Sequence, residues 1–266
     1  MKPALACASL LATWMLTLPG AGLAGAQPVG ATGATGATAA TATAGAPEKR
    51  ARLANPADPL EGFNRGVQSF NDGIDNAVLK PTAETYRKIV PDFVQTGVGN
   101  FFGNLRDGWS AVNHLMQGKL EPALNMTLRM AVNSTFGLAG VLDIATEAGI
   151  ERQSEDFGQT LGVWGLPAGP YLVLPLMGPS SLRDLTGTVV DLQPVTSVDY
   201  TDSTLAAASA LTLSVVHTRA GLLGASRMLD DIALDRYSFL RDAYLARRKN
   251  LVYDGNPPEE GKDESK

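Results

Sequence analysis

Ser180, Ser181, His114 and His217 are the residues of this sequence whose types could supply a nucleophile and a general base. A serine activated by an imidazole would transfer or hydrolyse an acyl group. No Gly-x-Ser-x-Gly elbow surrounds either serine, however, and Ser181 stands directly before Leu182-Arg183-Asp184, where a helix-capping hydroxyl belongs. His114 shares a segment with Trp109, Val112, Leu115 and Met116, and His217 closes a long uncharged run, so both read as hydrogen-bonded structural histidines. Neither His-Glu-x-x-His nor Gly-x-x-x-x-Gly-Lys-Ser/Thr occurs. Gly97-Val98-Gly99 with Gly103 has the outline of a dinucleotide loop, but its third glycine comes one residue late and no strand precedes it. Glycines that let helices approach closely are the simpler reading. Cys7 is the single cysteine, which excludes an internal disulfide and a cysteine-built zinc site. No catalytic residue, metal or cofactor is expected, and the chain does not read as an enzyme.

Charge excludes another class. A formal net charge of −5 provides no positive field for a phosphate backbone, so nucleic acid is not an expected partner. The basic run Arg247-Arg248-Lys249 reads as a solvated helix end that complements the macrodipole, with contact to lipid headgroups as the alternative.

The elements that would position these residues can be read from capping and periodicity. Residues 1–26 have Lys2, an uncharged apolar stretch from Ala4 to Leu18 and Ala24-Gly25-Ala26, as in a secretory signal peptide cleaved before Gln27. Residues 27–57 are dominated by Ala, Thr and Gly until about Ala46 and are expected to be a flexible tether; residues 257–266 are expected to be a charged, disordered tail. Between them, residues 58–256 read as one helical domain. Asp58-Pro59-Leu60-Glu61 predicts a first helix with Asp58 as N-cap and Glu61 as capping-box acid, ended near Leu79 by Pro81. Leu60, Phe63, Val67, Phe70, Ile74 and Ala77 make its apolar stripe. Further helices are expected over 82–89, 92–105, 108–117, 121–134, 138–146, 181–191 and 234–253. The stretch from Ser203 to Val216 holds only Ser, Thr, Ala, Leu and Val and predicts a helix that is apolar nearly all round.

From Gly158 to Pro179 the sequence is dense in glycine and proline, interleaved with Leu161, Val163, Trp164, Leu166, Tyr171, Leu172, Val173, Leu174 and Leu176. Long helices are excluded there. Apolar but irregular backbone must satisfy its amides and carbonyls against protein or water, which suits the lining of a cavity.

Several of these segments resemble the MlaA/VacJ family: Asp58-Pro59-Leu60-Glu61-Gly62-Phe63-Asn64-Arg65, Phe70-Asn71, Asn100-Phe101-x-Gly103-Asn104-Leu105, and Phe157-Gly158-x-Thr160-Leu161-Gly162 continuing to Leu182-Arg183-Asp184. The resemblance runs from about Asp58 to Gly255. It implies an all-α single domain: a ring of amphipathic helices in the inner leaflet of a Gram-negative outer membrane, around an amphipathic pore, with an irregular Gly/Pro-rich segment. It also implies removal of mislocalised phospholipids from the outer leaflet to keep the membrane asymmetric. The implied partners are phospholipids, a trimeric porin and a soluble periplasmic phospholipid carrier resembling MlaC. The family is typically anchored by a lipidated cysteine at the mature N-terminus; here Ala24-Gly25-Ala26 precedes Gln27, so attachment is expected to come from the helices.

On this reading Phe70, Asn71, Gly162, Gly165, Gly169, Tyr171 and Leu174 are expected to line or gate the lipid path, and Phe101, Phe102, Trp109 and Trp164 to contact the membrane. The rival classes are an acyl hydrolase built on one of the serines and a helical scaffold that conducts nothing.

Overall fold

The computed structural model describes residues 55–197 and 204–258. The expected signal peptide, nearly all of the tether and most of the tail lie outside the described residues. Nine helices and one two-stranded sheet follow within them: α1 (Glu61–Ile74), a π-helical turn (Asp75–Leu79), α2 (Lys80–Ile89), α3 (Asp92–Met116), α4 (Leu120–Thr135), α5 (Ile144–Glu147), α6 (Phe157–Val163), β1 (Tyr171–Leu174), β2 (Gly178–Ser181), α7 (Leu182–Ser197), α8 (Thr204–Ile232) and α9 (Arg236–Val252). The all-α expectation holds, with a small antiparallel hairpin added, in register Tyr171↔Ser181 and Leu174↔Gly178.

The helices close a cycle. The α1 helix packs on β1, and the hairpin packs on α9 through Tyr171 and Tyr237, whose ring centroids are 6.2 Å apart. The α9 helix packs on α6, α6 on α3, α3 on α8, and α8 on α2, which continues from α1 through the π turn. Ala83, Ala220 and Leu223 form the buried α2–α8 contact, with Tyr86 against them. The α4 helix backs α3 from outside this cycle.

Four local expectations are corrected. Asp58 does not cap α1: Leu60 occupies the cap position without a side-chain bond. Asp58 is instead buried, accepting from Asn64 Nδ2 at 2.9 Å and from Tyr237 Oη at 2.5 Å, and Glu61 pairs with Arg65 at 2.7 Å rather than closing a capping box. Distant partners outcompete the local one because they also satisfy a buried carboxylate.

Pro81 does not end the first helical run. The chain widens through the π turn, Lys80 N donates to Asp75 O, and Pro81 falls in the first turn of α2. A wider turn relieves the clash of the pyrrolidine ring with the preceding turn, and the first turn needs no donor there.

The helices expected over 92–105 and 108–117 are one continuous α3 of 25 residues. Gly108 is not a break; a Cβ there would lie 2.6 Å from Met130 Sδ, so the missing side chain makes room for α4.

Residues 138–146 are not one helix. Leu138, Ala139 and Gly140 all take positive φ (52°, 57° and 91°), and only Ile144–Glu147 is helical, with Asp143 accepting from Thr146 N at 3.2 Å. The irregular 158–179 segment holds nearly all of the short α6, the whole of β1 and the start of β2, and α7 and α8 run longer than their expected stretches.

Candidate functional site

The distribution of polar and apolar groups is inverted relative to a water-soluble domain. Among the described residues twenty polar or charged residues are buried against twelve apolar ones, while many large apolar side chains face outward. Ile89, Phe93, Leu120, Leu124, Phe136 and Leu138 are each at least 66% exposed. Among the described residues no helix is long and apolar enough to cross a membrane. An exterior of this kind suits partial immersion in lipid, with the polar groups turned toward one another inside.

Three networks gather many of these buried polar groups. In the first, α1 serves as a substitute strand edge for the hairpin. Asn64 accepts from Val173 N at 2.9 Å and donates to Tyr171 O at 3.0 Å. Seven residues on, Asn71 donates to Leu174 O at 2.9 Å and accepts from Leu176 N at 2.6 Å. Two helical turns span about 10.5 Å, which places the two amides beside β1 and the turn that follows it.

The second network surrounds Arg129, which is fully buried. Its guanidinium donates to Asp107 Oδ2 at 3.2 Å, to Asp143 at 2.9 and 3.0 Å, to Thr146 Oγ1 at 3.1 Å and to the carbonyl of Ile150. Arg152 adds a second cation on Asp107 at 2.8 Å. Burial would raise the Asp143 carboxyl, but bonds from Thr146 and Asn133 together with the Arg129 charge hold it at about 2.

The third network ties α6, α7 and α9 together. Arg248 reaches Asp156 at 2.5 and 2.9 Å and Asp184 at 2.8 and 3.1 Å, while Tyr244 Oη donates to Asp184 at 2.7 Å. Burial opposes ionisation of Asp156, yet the Arg248 charge keeps its carboxyl low. The nearby Asp191 accepts from Trp109 Nε1 at 2.7 Å and Phe157 N at 2.9 Å; burial and the Asp156 charge push its carboxyl up. Arg248 is therefore a structural cation and not part of a solvated face, while Lys249 stays in the last turn of α9 where a cation complements the macrodipole.

The serine and histidine candidates stand apart. Ser181 Oγ accepts from Asp184 N at 3.1 Å, as expected of a cap, and Ser180 Oγ donates to Ser181 O at 3.3 Å; both are fully buried. His114 Nε2 meets Gln153 O at 3.1 Å, and His217 Nδ1 meets Tyr86 Oη at 3.2 Å. Burial lowers both imidazoles. Pro81, Thr82, Thr85, Tyr86 and Val216 line a shallow open hollow between α2 and α8, beside this Tyr86–His217 pair.

Of the expected path residues, Asn71 and Leu174 are joined directly, and Phe70 lies beside them on α1, half exposed. Tyr171 is fully buried between Tyr237 and Tyr244, centroids 6.2 and 6.0 Å away. Gly162 is where α6 meets α9: a Cβ would lie 2.7 Å from Val252 and 2.8 Å from Arg183 Nη1. Gly165 and Gly169 take φ of 93° and 69° in the exposed connection to β1. Of the expected membrane-contact aromatics, Phe101 and Phe102 pack edge to face at 5.4 Å and Trp109 is bound to Asp191. Trp164 is 57% exposed, with its Nε1 on Met116 O at 3.0 Å.

Sequence reasoning missed Asn64, Arg129, Asp156 and Asp184 as partners in these networks. Their one local signal is the presence of polar residues on otherwise apolar helix faces, and the pairings cross up to 109 residues.

The family model described as MlaA lipoprotein matches residues 56–251. The intermembrane phospholipid transport system lipoprotein MlaA of Escherichia coli (strain K12) is 34% identical over 204 residues, covering 75% of this chain and 80% of that protein. An uncharacterized protein of Rickettsia bellii (strain RML369-C) is 32% identical over 203 residues, 75% of this chain and 78% of its own length. A solved structure described as the structural basis for maintenance of bacterial outer membrane lipid asymmetry matches with a TM-score of 0.64 at 33% identity, over 73% of this chain and 98% of that one.

Proposed function

This chain belongs to the MlaA lipoprotein family, and from that premise we propose that it is the outer-membrane component of a system that keeps the membrane's lipids asymmetric. It takes mislocalised phospholipid from the outer leaflet and passes it through the ring of helices to an MlaC-like periplasmic carrier. A trimeric porin is the membrane partner on this reading, and the periplasmic side of the outer membrane is the location. The observation that carries it is the inverted distribution of surfaces: apolar side chains outside, and a closed cycle of helices held by buried polar networks inside.

The path we assign runs past Phe70, Asn71 and Leu174 and along the Gly162, Gly165 and Gly169 side, with Tyr171 bracing the hairpin behind it. Phe101, Phe102, Trp109 and Trp164 belong to the lipid-contacting side. The chain acts as a conduit and not as a catalyst: both serine hydroxyls are committed to backbone partners, and both imidazoles are bound elsewhere. The deciding experiment is deletion of the gene followed by measurement of phospholipid in the outer leaflet of intact cells. Accumulation that is reversed by the wild-type gene is expected; an unchanged outer leaflet would refute the reading.

A further inference from the structure

One edge of the apolar exterior is built without accessible charge. Residues 122–142, most of α4 and the loop after it, contain a single charged side chain, Arg129, which is fully buried. Phe136 and Leu138 on that loop, with Ile89 and Phe93 at the corner where α2 passes into α3, are each at least 70% exposed. The two groups are continuous. Val141 sits where Gly97 has no side chain, 2.9 Å from the position a Cβ would take, and Gly97 lies one helical turn beyond Phe93 on the same face of α3. Asn100 Nδ2 fixes the loop there by donating to Val141 O at 3.0 Å.

The loop also keeps its backbone to itself. Phe136, Ala139, Gly140 and Leu142 donate their N–H groups to the carbonyls of Val132, Ser134, Asn133 and Gly137, at 2.8 to 3.2 Å. Irregular backbone does not enter hydrocarbon. A loop that has satisfied most of its own donors nevertheless gives up little water at the headgroup–acyl boundary, where its side chains reach acyl chains.

Charge stands at the borders. Arg87 and Lys88 are exposed in the last turn of α2, directly before Ile89, and neither is ion-paired among the described residues. Glu84, a turn earlier, is held by Arg227 at 3.3 Å, and Asp92 sits in the first turn of α3, where the helix amides offset it. At the other border Asp143 is held by Arg129 and Arg152, and Glu147 and Glu151 follow it, exposed. These carboxylates limit immersion to the α2–α3 side.

We propose that this edge, Ile89 and Phe93 with the 136–142 loop, anchors the protein in a phospholipid surface, with Arg87 and Lys88 on anionic headgroups beside it. This rests on the reading above that the chain works at the outer membrane, and adds where it is held and by which lipids. Hydrocarbon accepts an edge that brings no charge with it, and cations at its border gain from an anionic surface.

The test floats the full chain, diluted from detergent, with vesicles of phosphatidylcholine alone or of equal parts phosphatidylcholine and phosphatidylglycerol. Wild type should partition more strongly into the anionic vesicles, and salt should reduce the difference. Arg87→Gln combined with Lys88→Gln should remove it, about fivefold per charge, and leave partitioning into phosphatidylcholine unchanged. Phe93→Asp and Leu138→Asp should each weaken partitioning into both vesicles about tenfold or more with unchanged melting; Met228→Asp at the α8–α9 corner should not. A polarity-sensitive fluorophore on Leu138→Cys, in a chain also carrying Cys7→Ser, should shift to the blue on the vesicles. Edge variants that float like wild type, a label that does not shift, or equal floating of wild type with both vesicles would overturn the anchor while leaving the transport reading standing. A wild-type chain that floats with neither vesicle would bring down both. A dimer seen by light scattering and lost in Leu138→Asp would assign the edge to a second copy, which also overturns the proposal.

Discussion

Asn71 and Leu174 lie 103 residues apart in sequence, and the Asn71 amide Nδ2 donates to the Leu174 carbonyl at 2.9 Å while its Oδ1 accepts from Leu176 N. One side chain thereby satisfies a donor and an acceptor at the hairpin turn. Asn71→Ala leaves both groups unmatched and should destabilise the fold by about 1–3 kcal/mol. Urea unfolding of the purified variant measures this; a loss below about 0.5 kcal/mol would mean that water replaces the clamp.

Gly165 sits at φ 93° with no heavy atom near a Cβ, so Gly165→Val is opposed by backbone strain and not by crowding. Its expected effect is impaired outer-membrane asymmetry at normal abundance. Ser181→Ala removes only the bond to Asp184 N, about 1 kcal/mol of capping stability. Detergent and bile-salt sensitivity, with immunoblots for abundance, compares the two; a stable Ser181→Ala protein without function beside a working Gly165→Val would revive the hydrolase.

Arg248 neutralises Asp156 and Asp184 at once. Arg248→Met strands the buried Asp156, leaves Asp184 with Arg183 as its cation, and should cost about 3–5 kcal/mol, enough to lower cellular abundance sharply. Arg248→Lys keeps the charge but not the forked geometry and should fall between. Denaturation midpoints of the three proteins give the order.

Burial pushes the Glu155 carboxyl up to about 7 from an ordinary 4.5, against Gln117 and Lys119. The folded state therefore binds the extra proton more tightly than the unfolded chain. Its contribution is fully present below pH 4.5, is lost as pH rises towards 7, and is flat above, a fall of up to about 3 kcal/mol. Glu155→Gln should flatten that slope in unfolding experiments between pH 5 and 8; an unchanged slope would assign it to another group.

Apolar side chains that face outward on α1, α3 and α4 are expected to hold the protein at the membrane. A chain starting at Asn55 behind a foreign signal peptide should still fractionate with the outer membrane. A folded but fully soluble periplasmic product would assign attachment to the preceding segment.

The sequence by itself determined the helical class, the end of α2 at Ile89, the capping role of Ser181 and the family, because these rest on neighbouring residues. The tertiary structure decided the rest. Asp58 looks like a helix cap in its own heptapeptide, but Tyr237 and Asn64 offer a buried carboxylate more than one exposed backbone amide can. Pro81 looks like a terminator until a π turn accommodates it, and Gly108 like a break until Met130 occupies its missing side chain. The hairpin had no strand signature because part of its hydrogen bonding comes from α1 through Asn64 and Asn71, more than 100 residues earlier. Periodicity and capping act over a few residues, whereas the satisfaction of a buried polar group depends on whichever partner the whole chain brings within 3 Å.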